Sequence, residues 1–205
     1  MKTDYKKLFS LFVSDNDGRE VLRTPFKQDG RYCATDAHSM IYMPVETADL
    51  PFEERDKPNA TKIIIQYDKR DKNDVINVVD FERQLVPYMI PATKDCDACG
   101  GEGSDTCNLG HDHDCEPCEG MGSVELRGAP PVADTNKKFV MLGVGYTYKQ
   151  LRRVLDACAM LKLNTFTRTA GTKNGGNLFT CCECQILVMP CILDGEYKEP
   201  TEIKV

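Results

Sequence analysis

"DGRYCATDAHSMIYMP", residues 29–44, is the stretch whose reading decides the fold. Asp29-Gly30 suits a tight hairpin turn, because glycine takes positive φ without a Cβ penalty. On either side, "REVLRTPF" (19–26) and "RYCATD" (31–36) are predicted as strands joined across "KQDG" (27–30). "HSMIYMP" (38–44) reads as a third strand, ended by Pro44, which lacks the N–H a ladder needs. Upstream, residues 3–13 predict a helix with Thr3 as its cap and Leu8, Phe9 and Phe12 as its apolar stripe. "SDNDG" (14–18) breaks it. The chain therefore opens with a helix and then a run of strands.

The last third repeats that order. "KFVMLGV" (138–144) predicts a strand, and Thr147 with Gln150 three residues on makes a capping-box helix start. Leu151, Val154, Leu155, Cys158 and Leu161 fall on one helical face, with Lys149, Arg152 and Arg153 on or beside the other. "NTFTRT" (164–169), "NLFTC" (177–181) and "CQILVMPCIL" (184–193) read as three strands, the first two joined by the loop "AGTKNGG" (170–176). Between the two runs lie a short predicted strand, "TKIII" (61–65), and a solvated charge-rich loop, "YDKRDKND" (67–74). A short helix at "DFERQLVPYM" (80–89) is capped by Asp80 and interrupted by Pro87, and "RGAPPVADTNKK" (127–138) reads as a linker or extended edge. The expected class is α+β: two pseudo-symmetric helix-plus-strands halves, residues 1–92 and 125–205, flanking an insertion at 93–124.

The insertion carries "CDACGGEGSDTCNLGHDHDCEPCEGMG" (96–122), two Cys-x-x-Cys-x-Gly-x-Gly copies. Zinc favours tetrahedral thiolate ligation, and two such knuckles supply four sulfurs on tight turns. Cys96, Cys99, Cys115 and Cys118 are therefore the expected ligands of a structural Zn2+. Catalytic zinc keeps an open position and usually includes histidine or carboxylate, which this set does not. Cys107, His111 and His113 are alternates: one replaces a ligand, or they form a second, weaker site, or they are the hydrophilic tip of a hairpin. The segment resembles the zinc domain of DnaJ-type co-chaperones, with two copies where that family has four. Elsewhere, Cys181, Cys182 and Cys184 sit where a hairpin turn is expected, and Cys33, Cys158 and Cys191 read as small core hydrophobes.

Composition narrows the remainder. Eleven cysteines, an odd count with no export signal, point to a reducing cytoplasm rather than a disulfide scaffold. No apolar run approaches the roughly 18 residues of a membrane span, and "MKTDYKKLFSLFVSD" reads as an amphipathic helix rather than a signal peptide. The net charge of −6 gives nucleic acid no bulk attraction, so any such contact needs a local basic face. No nucleophile–base pair, phosphate-binding Gly loop or carboxylate pair stands out, and no enzyme is expected.

Two motifs bear a resemblance. Ala34, Thr35, Asp36 and His38 resemble the Ala-Thr-Asp-Gly-His-Arg-Leu motif of bacterial DNA polymerase sliding clamps, with Ala37, Ser39 and Met40 departing from it. Val188, Met189 and Pro190 resemble the Val-Met-Pro-Met ending of the clamp's last strand, with Cys191 in place of the second methionine. The resemblance implies a clamp-like, non-enzymatic accessory protein of DNA replication or repair. In clamps, helices present cations to DNA phosphates, which assigns Lys6, Lys7, Lys149, Arg152 and Arg153 to double-stranded DNA. The motifs also border a pocket for partner peptides, which assigns Thr35, His38, Met40, Val188, Met189 and Pro190 to peptide binding. In the family the pocket walls belong to adjacent domains. In a chain with length for one domain, the expectation is that they meet across a head-to-tail contact in a homo-oligomer. The alternative is a zinc-stapled adaptor that kept the fold and binds protein without DNA.

Overall fold

The computed structural model describes residues 3–14, 18–64, 73–106, 112–169, 176–193 and 200–204. The chain forms two compact units: Met1–Val86 with Thr135–Val205, here the body, and Pro87–Asp134, the module.

In chain order the body begins with α1 (Tyr5–Ser10), β1 (Phe26–Gln28), β2 (Arg31–Thr35), β3 (Ser39–Pro44), α2 (Ala60–Ile64), β4 (Asn73–Asn77) and α3 (Val78–Gln84). The module contributes β5 (Met89–Ile90), β6 (Thr93–Asp95), β7 (Ser104–Thr106), β8 (Asp112–Asp114), β9 (Ser123–Glu125) and β10 (Val132–Ala133). The body resumes with β11 (Lys138–Met141), β12 (Val144–Thr147), α4 (Tyr148–Leu161), β13 (Thr165–Thr169), β14 (Asn177–Cys181), β15 (Cys184–Val188) and β16 (Thr201–Ile203).

A seven-stranded sheet in the order β1-β2-β3-β15-β14-β13-β4 organises the body. Each half supplies a helix followed by a three-strand meander, and the last strands of the two meanders pair antiparallel at the centre, Ser39 opposite Val188 and Met40 opposite Leu187. Period-2 alternation then sorts the side chains. Tyr32, Ala34, Ile41, Met43, Phe179, Ile186 and Val188 join Leu8, Phe9 and Phe12 and the Leu151–Cys158 face of α4 in the main core. Cys33, Met40, Tyr42, Leu178 and Leu187 face the other way, under Ala60 and Ile64 of α2. The capping box forms as expected, Thr147 Oγ1 accepting from Gln150 N–H and Gln150 Oε1 from Thr147 N–H.

Several elements differ from the sequence-based expectation. The first helix is shorter and is capped by Asp4, whose Oδ1 accepts from Lys7 N–H at 3.1 Å. "REVLRTPF" is not a strand until Phe26: Glu20–Leu22 makes a single 3-10 turn that buries Leu22. Thr61–Ile64, expected in a strand, belong to a helix, because Gln28 Oε1 and Asn59 Oδ1 accept from the amides of Ala60 and Lys62; Ile65 lies outside the described residues. The β-branched run is overruled by tertiary capping, with Ala60 and Ile64 buried one turn apart. Asp74, expected in a solvated loop, lies in β4 and pairs with buried Arg168 at 3.2 Å; residues 67–72 of that loop are outside the described set. Asn77 caps α3 in place of Asp80, accepting from both Val79 and Asp80. "KFVMLGV" is a hairpin, reversing at Leu142 (φ 51°) and Gly143 (φ 74°). Of "CQILVMPCIL", only Cys184–Val188 is strand. Among the described residues no helix is long and apolar enough to cross a membrane.

Candidate functional site

Two places gather the chemistry singled out by the sequence, one in each unit. In the module, the sulfurs of Cys96, Cys99, Cys115 and Cys118 all lie within 4.8 Å of one another. Cys96–Cys115 and Cys99–Cys118 are each 3.8 Å apart. A tetrahedral centre with metal–sulfur bonds of about 2.3 Å has sulfur–sulfur edges of about 3.8 Å, so these four thiols are spaced to hold a metal ion.

The backbone explains the spacing. Each knuckle turns so that the amide four residues on donates to its second cysteine: Gly103 N–H to Cys99 Sγ at 3.2 Å, Gly122 N–H to Cys118 Sγ at 3.3 Å. The knuckles then clasp each other, Cys96 N–H donating to Gly122 O and Cys115 N–H to Gly103 O, both at 2.8 Å. Gly103 and Gly122 are obligatory here. A Cβ on the first would lie 2.4 Å from Gly120 O, and on the second 2.3 Å from Gly101 O. Burial resists ionising Cys99, but the amides of Gly103 and Gly101 outweigh it and lower that thiol to about 7. Of the alternates, His113 is exposed on β8 opposite Asp105, away from the sulfur cluster. Cys107 and His111 lie outside the described residues.

In the body, the two clamp-like motifs come together within one chain. The expectation that they meet across a subunit contact is corrected by the central β3–β15 pairing, which places Ser39 and Met40 directly beside Val188 and Leu187. On the sheet face opposite α1 and α4, a groove of about 500 Å³ opens between this seam, α2 and the Glu20–Leu22 turn. Thr35, His38, Met40 and Met189 line it; Val188 and Pro190 do not. Val188 points into the main core, one residue out of phase. Sequence reading missed Leu187, Ile63, Val21, Arg19 and Lys57, which are among the other lining residues. Leu187 was accessible by alternation from Met189, whereas α2 and the 3-10 turn are brought in only by the tertiary fold. No carboxylate is among the described lining residues.

The groove rim is built from hydrogen bonds of the "ATDAHS" turn. Thr35 Oγ1 accepts from Ala37 N–H and donates to Ser39 O, and Asp36 Oδ1 accepts from the amides of His38 and Ser39. Ala37 sits at φ 73°, held there by these bonds. Asp36 Oδ2 binds Arg153 of α4 in a buried ion pair. Burial alone would raise the Asp36 carboxyl, but Arg153 and the two amides hold it below its ordinary value.

The five cations proposed for DNA are not one exposed stripe. Lys6, Lys7 and Lys149 are exposed. Arg152 is half-buried and bridges Glu82 at 3.1 Å and Asp156 at 2.8 Å. Arg153 is buried with Asp36, its guanidinium 5.8 Å from the centre of the Phe12 ring. Among the other cysteines, Cys33 and Cys158 are core residues, with burial pushing the Cys33 thiol up to about 12, while Cys191 is only partly buried. Cys182 is exposed in the β14–β15 turn between buried Cys181 and Cys184.

No protein-family model matches the chain, and no curated protein sequence does. Its fold, however, is the α+β fold of the bacterial sliding clamps. The beta clamp of Helicobacter pylori bound to a DNA ligase peptide is 14% identical, with a TM-score of 0.52, over 93% of this chain and 63% of that one. The same clamp in complex with 3,4-difluorobenzamide gives 13% and 0.51 over 93% and 63%. In complex with diflunisal it gives 14% and 0.51 over 93% and 64%. The chain thus spans less than two thirds of the clamp chains it matches, and at this identity the likeness is one of fold.

Proposed function

We propose that this chain is a non-enzymatic, clamp-like accessory protein of DNA replication or repair that captures a short peptide segment of a partner protein in the β3–β15 groove. The observation that carries the reading is the position of the groove: the two motifs that resemble the clamp's pocket lie on adjacent strands and share one cavity. Its apolar walls, with Lys57 in the lining and no described carboxylate, suit an apolar segment that carries negative charge. The H. pylori clamp of the same fold is bound to a DNA ligase peptide, which makes that peptide the first probe. Fluorescence polarisation with the labelled peptide should give saturable binding. Ile63→Arg, at a groove residue 42% exposed in the free protein, should abolish it without lowering Tm. Binding that Ile63→Arg leaves intact would place the peptide elsewhere and defeat the groove reading.

For DNA, Lys6, Lys7 and Lys149 are the contacts of choice, since Arg152 and Arg153 are engaged by carboxylates. That engagement, with the acidic balance of the chain, also favours a second reading: an adaptor that kept the clamp fold and binds protein without DNA. Affinity for duplex DNA measured against salt separates the two. Three phosphate contacts give a slope of log K on log salt of about −2.7, and no contact gives a flat line.

The module is proposed as an insertion between the two halves whose four cysteines hold one structural zinc. The all-thiolate donor set, closed on four sides, suits zinc and leaves no open position for a substrate. The ion would cross-link two knuckles that have little apolar burial of their own. Metal analysis should give about one equivalent of zinc per chain.

A further inference from the structure

We propose that Gln150 and Arg153, on the first turns of α4, are positioning residues that anchor the seam wall of the groove from the opposite face of the sheet. The inference rests on the peptide-groove reading above and adds what holds that groove in shape.

The seam wall of the groove ends in two lips, the His38 turn and the chain leaving β15 at Met189. Met189 N–H donates to His38 O at 2.9 Å, which carries the β3–β15 ladder one step past the Ser39–Val188 pair. Each lip is also tied separately to α4. Gln150 Nε2 donates to Met189 O at 2.9 Å, and Arg153 Nη1 donates to Asp36 Oδ2 beneath the His38 turn. Both side chains are buried, 8% and 9% exposed, so neither tie competes with bulk water. Each is backed by a second anchor. Gln150 Oε1 is held by the Thr147 amide in the capping box, and the Arg153 guanidinium lies over the Phe12 ring. Gln150 and Arg153 lie three residues apart, hence on one face of the helix. A rigid bar of helix therefore anchors both lips just beyond the last pair of the β3–β15 ladder. Neither residue lines the cavity, so their influence on a ligand passes through Met189 and His38.

Two substitutions cut one tie each and spare the local structure. Gln150→Glu keeps the carbonyl-type oxygen that caps Thr147 but loses the donor to Met189 O. Asp36→Asn keeps an oxygen for the His38 and Ser39 amides but loses the charge that holds Arg153. The 205-residue chain is labelled with 13C-methyl methionine, since Met40 and Met189 both line the groove. In parallel it is titrated with 8-anilinonaphthalene-1-sulfonate, an anionic aromatic dye suited to a cation-flanked apolar cleft.

Gln150→Glu should shift the Met189 methyl resonance and weaken dye binding about tenfold, both measured below its Tm, which the buried carboxylate lowers. Asp36→Asn should shift Met40 and Met189 together, with a comparable loss of dye affinity measured below its Tm. Unmoved Met189 resonances and dye affinity within twofold of wild type in Gln150→Glu would overturn the proposal. A wild-type protein that binds neither dye nor ligase peptide, while Gln150→Glu still moves Met189, would refute the groove reading and leave the role of Gln150 standing.

Discussion

The body and the module differ sharply in what they bury. In the body, Phe9, Phe139, Tyr146, Phe166 and Phe179 are buried in the main core, and all five rings make aromatic contacts with one another or with Phe52 and Tyr148. Among the described residues of the module, the buried hydrophobic side chains are Cys96, Cys115 and Cys118, with Cys99 and Val124 packed against them. A chain of that length without apolar burial cannot offset its conformational entropy. The difference teaches that motif density and fold-carrying power are separate. The module has the most conspicuous sequence and the smallest core; the body has a quiet sequence and nearly all of the burial.

The comparison breaks most visibly on metal removal. Structural zinc contributes an apparent ~10–16 kcal/mol at neutral pH in small zinc-dependent modules. Chelation, or Cys115→Ser, should therefore erase amide protection across the β6–β9 and β7–β8 ladders while protection of β2, β3, β14 and β15 is unchanged. Hydrogen exchange read residue by residue checks this. A module still protected without metal would show that thiolate ligation is not what holds it.

The reciprocal experiment empties the body's core. Phe179 is fully buried and packs edge-on against Tyr146 and Phe166. Phe179→Ala should destabilise the body by about 3–5 kcal/mol in denaturant unfolding, with zinc content unaltered. Loss of bound metal in this variant would mean that the two units are not independent in stability.

Next in size is the Asp36–Arg153 pair. A hydrogen bond to a charged group is worth about 1.5–3 kcal/mol, and Asp36→Asn should lower body stability by that order at pH 7. The Asp36 carboxyl is held below its ordinary value in the folded protein. Its contribution is therefore fully present above the unfolded value of about 3.9 and is lost as pH falls through the lower folded value. Stability measured from pH 6 down to pH 2 should show wild type and Asp36→Asn converging below about pH 4. Parallel curves would remove the ion pair from the account.

The smallest effect sharpens the picture at one helix end. Thr147→Ala removes the oxygen that accepts from Gln150 N–H and should cost about 1 kcal/mol. It should leave the module's exchange pattern unchanged, which a thermal scan and the same exchange data would test together.

Much of the architecture was legible because it rests on local rules. The Thr147–Gln150 capping box, the Asp29-Gly30 turn and the strand segments of β2, β3, β14 and β15 require only neighbouring residues. The four cysteines needed only their spacing. What escaped was set by partners far away in the chain. Gln28, 32 residues from Ala60, turns a β-branched run into the start of a helix. Arg168 draws Asp74 out of an expected loop and into a strand, 94 residues away. Asp36 takes Arg153 off the solvent face across 117 residues.

The sequence by itself determined the two helix-then-strands halves, the knuckles between them and the two motifs, because period, capping and ligand spacing are properties of adjacent residues. Only the tertiary structure decided that those motifs share one groove within a single chain, and that two of the five candidate cations are engaged by carboxylates. The reason is that strand pairing and buried ion pairs depend on which distant segments meet, and no local pattern encodes that choice.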